Sequence, residues 1–141
     1  MSSLLTRAEE FIWCNARLLE RQLFAFHFKG GSADAVVMAL RAYQNADGGF
    51  GNALEPDIRC PDSQPVPTQH ALEFLDAVGR CSGPMVDAGC AYLESITTEQ
   101  GGVPFVLPSV RAYPRAPWWQ TDDQPPASLN PTAMIAGLLH K

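Results

Sequence analysis

Two loops in this sequence gather side chains that can carry protons or hold a ligand. One is Glu55-Pro56-Asp57-Ile58-Arg59-Cys60-Pro61-Asp62. The other is Trp118-Trp119-Gln120-Thr121-Asp122-Asp123-Gln124. Asp122 and Asp123 are adjacent carboxylates. In a desolvated cavity mouth such a pair raises one pKa and retains a proton, which is what a general acid needs. In open water the same pair is a solvated acidic loop, and the sequence leaves both readings standing. The chain has no phosphate-cradling P-loop, no His-Glu-x-x-His metal pair and no Gly-x-Ser-x-Gly nucleophile turn.

These loops need elements to position them, and the hydrophobic spacing predicts helices. Residues 3–28 read as one long amphipathic helix through Leu4, Ala8, Phe11, Ile12, Leu18, Leu19, Leu23 and Phe26, with one polar step at Asn15. Ser2 or Ser3 is its expected cap, and Gly30-Gly31 its stop. A second helix is expected over 32–43 with Ser32 as N-cap, a third over 67–78 and a fourth over 84–96. A last helix opens at Asn130-Pro131, where proline suits the first turn. A proline-rich loop spans 52–66, and a longer loop spans 97–129. Trp13 and His27 lie beside the first apolar stripe and read as packing residues.

Between the second helix and the first acidic loop stands Gln44-Asn45-Ala46-Asp47-Gly48-Gly49-Phe50-Gly51. Gly48, Gly49 and Gly51 can take positive φ and turn the chain sharply. Asp47 can close an Asx-turn on its own backbone. Phe50 can bury its ring, and Gln44 can satisfy orphan groups at a helix end. Aligning Gly48-Gly49 with Gly101-Gly102 puts Leu40 on Leu93 and Tyr43 on Ile96, and Pro67-Thr68 then pairs with Pro131-Thr132. Each copy is helix, Gly-Gly turn, proline-rich loop, helix. In the second copy Gln100 replaces Asp47 and Val103 replaces Phe50. The expected division is a single partial domain over 1–141. It has a leading helix at 1–31, a first repeat at 32–83 and a second, degenerate repeat at 84–141.

The motif Gln44, Asp47, Gly48, Gly49, Phe50, Gly51 resembles the repeat signature of the terpene cyclase and prenyltransferase superfamily. The resemblance covers roughly residues 32–140, and it implies an all-α fold of helical hairpins forming part of an α/α toroid. Helices 32–43 and 84–96 would be outer, and 67–78 and 131–140 inner. The signature's Gln and aromatic residue would clamp one outer helix to the next. The chain is expected to be the N-terminal part of a longer toroid, a truncated piece, or a protomer that pairs its open face. Helical repeats bury their faces on neighbours, so self-association through that face is expected.

The resemblance also implies chemistry. Family members that cyclise polyenes protonate an alkene with the middle Asp of Asp-x-Asp-Asp. Gln120-Thr121-Asp122-Asp123 matches that motif without its first Asp, so Asp122 is the implied acid and Asp123 its neighbour. Asp57, Asp62, Trp118 and Trp119 are the implied substrate contacts for an isoprenoid or polyene. The tryptophans, Tyr113 and Phe105 either face a carbocation through their rings or fill space between helices. Protein prenyltransferases of the superfamily hold zinc through Asp, Cys and His. Asp57, Cys60, Asp62 and His70 are the right types, but the family's zinc motif is not reproduced, and no metal or cofactor is assigned. A non-catalytic α/α-repeat module that binds or assembles is the alternative.

Bulk properties bound these readings. Hydrophobic residues make up 46% of the chain, enough for a packed core, and the formal net charge of −5 argues against broad binding of nucleic acid. No apolar run approaches the length of a membrane span. The four cysteines show no Cys-x-x-Cys spacing. With no secretion signal read at Met1-Ser2-Ser3, free thiols in a cytoplasmic setting are expected.

Overall fold

The computed structural model describes residues 3–140, and among these the chain is all-α. Six α-helices run in order: α1 Leu4–Asn15, α2 Leu18–Lys29, α3 Ala33–Leu40, α4 Pro65–Ala77, α5 Pro84–Ser95 and α6 Leu129–Leu139. Short 3-10 turns cover Arg41–Tyr43 and Pro108–Ala112. No described helix is long and apolar enough to cross a membrane. The chain divides into two compact units, the first ending at Arg41 and the second beginning at Ala42.

In the first unit the single helix expected over 3–28 is two. Ser3 caps α1 by accepting from the Thr6 amide, while Ser2 lies outside the described residues. The break follows Asn15, whose side-chain amide donates to the Phe11 carbonyl at 2.8 Å. Asparagine competes for backbone groups in this way and is a poor helix-interior residue. Ala16 and Arg17 are then extended, and Arg17 pairs with Glu20 in the first turn of α2. Gly30 ends α2 in the left-handed region, and Ser32 caps α3 as expected. α2 packs on both α1 and α3. α1 buries none of its residues.

The second unit is built around α4, which packs against α5 and α6. α4 begins at Pro65, earlier than the proline content of 52–66 suggests. Gln64 is extended at φ −133°, the conformation favoured before proline, and Pro65 occupies the first turn, where a missing N–H costs nothing. Pro67 is absorbed in the same turn for the same reason. The Thr68 hydroxyl closes the start by donating to the Gln64 carbonyl at 2.8 Å. In α6, Asn130 is not helical, so the regular helix starts at Pro131.

Four bonds of the Gly-Gly turn recur. In the first copy Asn45 N–H donates to the Gly49 carbonyl (2.9 Å) and Gly48 N–H to the Asn45 carbonyl (3.0 Å). Phe50 N–H donates to the Thr68 hydroxyl (3.1 Å), and Gln64 N–H to the Phe50 carbonyl (2.9 Å). In the second copy Thr98 N–H donates to the Gly102 carbonyl (2.9 Å) and Gly101 N–H to the Thr98 carbonyl (2.9 Å). Val103 N–H donates to the Thr132 hydroxyl (3.0 Å), and Ser128 N–H to the Val103 carbonyl (2.9 Å). Gly48 and Gly101 both sit at positive φ, 90° and 81°. Gly49 and Gly51 do not take positive φ. They are required by crowding instead: a Cβ on Gly51 would stand 2.3 Å from the Pro61 and Asp62 carbonyl oxygens.

Candidate functional site

The two acidic loops meet. Arg59 N–H donates to the Pro114 carbonyl (2.9 Å), and Ala116 N–H to the Asp57 carbonyl (3.0 Å). Beneath them lies a loop core of Ile58, Cys60, Val66, Val106, Val110 and Trp119, with Phe105 and Tyr113 packed on it. Gln64, 1% exposed, pins the long loop to the start of α4. Its side-chain oxygen accepts from Leu107 N–H, and its side-chain nitrogen donates to Ser109 Oγ, both at 2.8 Å. A buried amide satisfied at both ends fixes position, because leaving either end unmade costs about 1–3 kcal/mol.

At the edge of this core sits a cluster of ionisable groups. Glu55 Oε2 lies 3.1 Å from Nδ1 of His70, on the second turn of α4. The Glu55 side chain is 18% exposed. Burial pushes its carboxyl above the ordinary carboxylate range. The His70 imidazole works against this, while a hydrogen bond and like charge from Asp57 add to it. Asp57 Oδ1 accepts from the Trp119 indole N–H at 2.8 Å, and that ring stacks on Phe105 with centroids 4.7 Å apart. Just upstream, Asn52 and Ala53 both hold left-handed backbone, at φ 54° and 58°. For alanine that costs roughly 1–2 kcal/mol, so the surrounding loop must impose it. Burial and the neighbouring Asp57 favour the protonated form of Glu55, and the His70 imidazole opposes them.

The other expected residues divide. Trp119 is 5% exposed and lies in the loop core, with Phe105 and Tyr113 packed against it. Trp118 is at the surface, 63% exposed. Asp62 is exposed. Asp122 is exposed too, and borders a shallow groove of about 260 Å³ with Phe105, Pro125 and Pro126. Asp123 pairs with Arg111, and its side chain is 90% exposed. The desolvation that an acid at Asp122–Asp123 needs is therefore not found around them. Among the described residues no three His, Cys, Asp or Glu side chains converge as a metal site. Cys60 is buried in the loop core, and burial raises its thiol pKa.

The motif residues act much as their types suggest. Asp47 Oδ1 accepts from Gly49 N–H (3.0 Å), the expected Asx-turn, and from the Ser63 hydroxyl (2.7 Å). Phe50 is fully buried. Gln44 reaches the start of α5, the next outer helix of the resemblance, but not through an orphan group. It donates to the carbonyls of Gly48 (2.9 Å) and Met85 (3.1 Å), tying the turn to the first turn of α5 rather than filling an orphan group at a helix end. Orphan carbonyls belong to helix C-termini, and Met85 is near an N-terminus.

The pairing of Glu55 with His70 was not singled out from sequence. Its only local signal is that an acidic loop precedes a helix carrying a histidine. Comparison with known proteins finds no matching family model, no curated relative and no matching solved structure.

Proposed function

We propose that this chain contributes to an α/α toroid of the terpene cyclase and prenyltransferase kind and handles an isoprenoid or polyene. In this reading Glu55, rather than Asp122, carries the working proton. The observation that carries it is the Glu55–Asp57–His70 cluster, on the loop that follows the Gly-Gly-Phe turn. A carboxyl that resists ionisation is what protonating an alkene requires. Glu55 would give its proton to one alkene carbon, the π bond supplying the electron pair of the new C–H bond, and the resulting cation would lose a proton from an adjacent carbon or be trapped by water. The recurring four-bond turn supports the repeat architecture. The test is incubation of the full chain with polyprenyl diphosphates and neutral polyenes in deuterated water. The parent should transfer deuterium to carbon, and Glu55→Gln should lose that activity while retaining the helical spectrum. Equal transfer by parent and variant would remove Glu55 from the role.

A second reading, a non-catalytic α/α-repeat module, is favoured by a separate observation: Asp122, Asp123 and Trp118 all face solvent. It becomes the better reading if the parent neither binds nor converts any of these compounds.

A further inference from the structure

We propose that the second Gly-Gly turn is an unfilled seat for an α-helix, equivalent to the seat that α5 fills on the first. Its occupant would be an amphipathic helix with the spacing Met85-x-x-Ala88-x-x-x-Tyr92. The inference rests on the recurrence of the turn, and it stands whether or not Glu55 serves an isoprenoid.

At the first turn α5 is in direct contact. Gln44 holds the Met85 carbonyl at 3.1 Å. A Cβ on Gly48 would come 2.3 Å from the Ala88 carbonyl oxygen, and one on Gly49 would come 2.7 Å from the Tyr92 ring. Close approach of this kind is what small residues permit between backbones. Gly48 is buried as a result.

At the second turn the four bonds recur, and among the described residues no helix lies over Gly101. Gly101 is exposed, and a Cβ there would meet nothing within 4 Å. A Cβ on Gly102 would have its nearest contacts with Thr132 and Ala127, which belong to its own repeat. A groove of about 300 Å³ lies in that place, lined by Gly101, Gly102, Val103, Thr132, Ile135 and Leu139 among others. In the repeat alignment these fall on Gly48, Gly49, Phe50, Thr68, Ala71 and Leu75. The first three form the turn that α5 contacts, and the rest belong to or support α4, on which α5 packs.

The occupant's chemistry follows from what changes between copies. The Gly101 surface still admits only a small side chain at the position of Ala88 if backbones are to meet. Phe50 stands 3.9 Å from where a Cβ on Gly89 would be, and Val103 is smaller than Phe50. A Cβ at Gly89 would thus be in ordinary contact at the first seat, and the smaller Val103 leaves more space than that at the second. An alanine there should fit better than glycine, since it also favours the helix.

The test uses the full chain and two stapled, helical peptides of residues 83–96, one native and one carrying Gly89→Ala. Both should bind saturably, the Gly89→Ala peptide more tightly. Ala136→Glu places a charge on the exposed groove wall and should weaken both by about tenfold or more. Ala133→Glu, on the same helix outside the groove, should leave binding unchanged. Circular dichroism of each variant should match the parent. No saturable binding by either peptide, or equal loss in the two variants, would overturn the proposal. Self-association of the parent that Ala136→Glu abolishes would put a second copy of this chain in the groove and overturn the occupant named here.

Discussion

The turns at 44–51 and 97–104 share their backbone hydrogen bonds and differ in what covers them. The first has Asp47, Phe50 and Gln44 in place and carries α5. The second has Gln100, Val103 and Thr97 at those positions, and Gly101 lies open. The shared part is therefore the work of the Gly pair and of one threonine at the start of the next helix. The motif's acid and aromatic are not needed to form the turn. They add burial and a second set of bonds where a neighbour must be held.

That difference can be broken first at the aromatic position. Phe50 is fully buried, so Phe50→Ala should cost about 3–5 kcal/mol of unfolding free energy. Val103 is 5% exposed but smaller and beside an open groove, so Val103→Ala should cost about 2 kcal/mol or less. Urea denaturation of the two variants measures this. Equal losses would mean that the second turn is as tightly packed as the first.

The threonines sharpen the comparison. Thr68 is fully buried, and its hydroxyl joins Phe50 N–H to the Gln64 carbonyl. Thr68→Val leaves that buried N–H unmade and should cost about 1–3 kcal/mol. Thr132 makes the matching bond to Val103 N–H from a half-buried position, where water can replace it, so Thr132→Val should cost about 1 kcal/mol or less. Hydrogen exchange should show the Phe50 amide losing more protection than the Val103 amide. The reverse order would contradict the reading of the second turn as open.

Much of this contrast was legible in the sequence, because turns and caps are local. Gly48, Asp47 and the Ser32 cap follow from residue type and spacing, and the alignment of Pro67-Thr68 with Pro131-Thr132 falls on the threonines that bond the two turns. The break after Asn15 was not legible, since the apolar spacing runs on through it. Nor was the start of α4 at Pro65, where proline reads as loop until its place in the first turn is known. The candidate site was the least legible part. Glu55 meets His70 only after the loop folds back on α4, and Asp57 meets Trp119 across 62 positions of chain. Adjacent carboxylates at Asp122–Asp123 give a visible pattern, yet burial decides what a carboxyl can do, and burial is not written in adjacency.

The functional reading stands on the protonation of Glu55, and a carbon-13 titration of its carboxyl in the full chain tests this most directly. Its folded pKa is raised, so the linked stability is present below the unfolded value of about 4.3 and is lost as pH rises through the folded value. The midpoint should lie above that unfolded value and should fall in Asp57→Asn, which removes the neighbouring negative charge. A midpoint at or below about 4.3 in the folded parent would mean that Glu55 is an ordinary carboxylate, and the proton-carrying role assigned to it would be wrong.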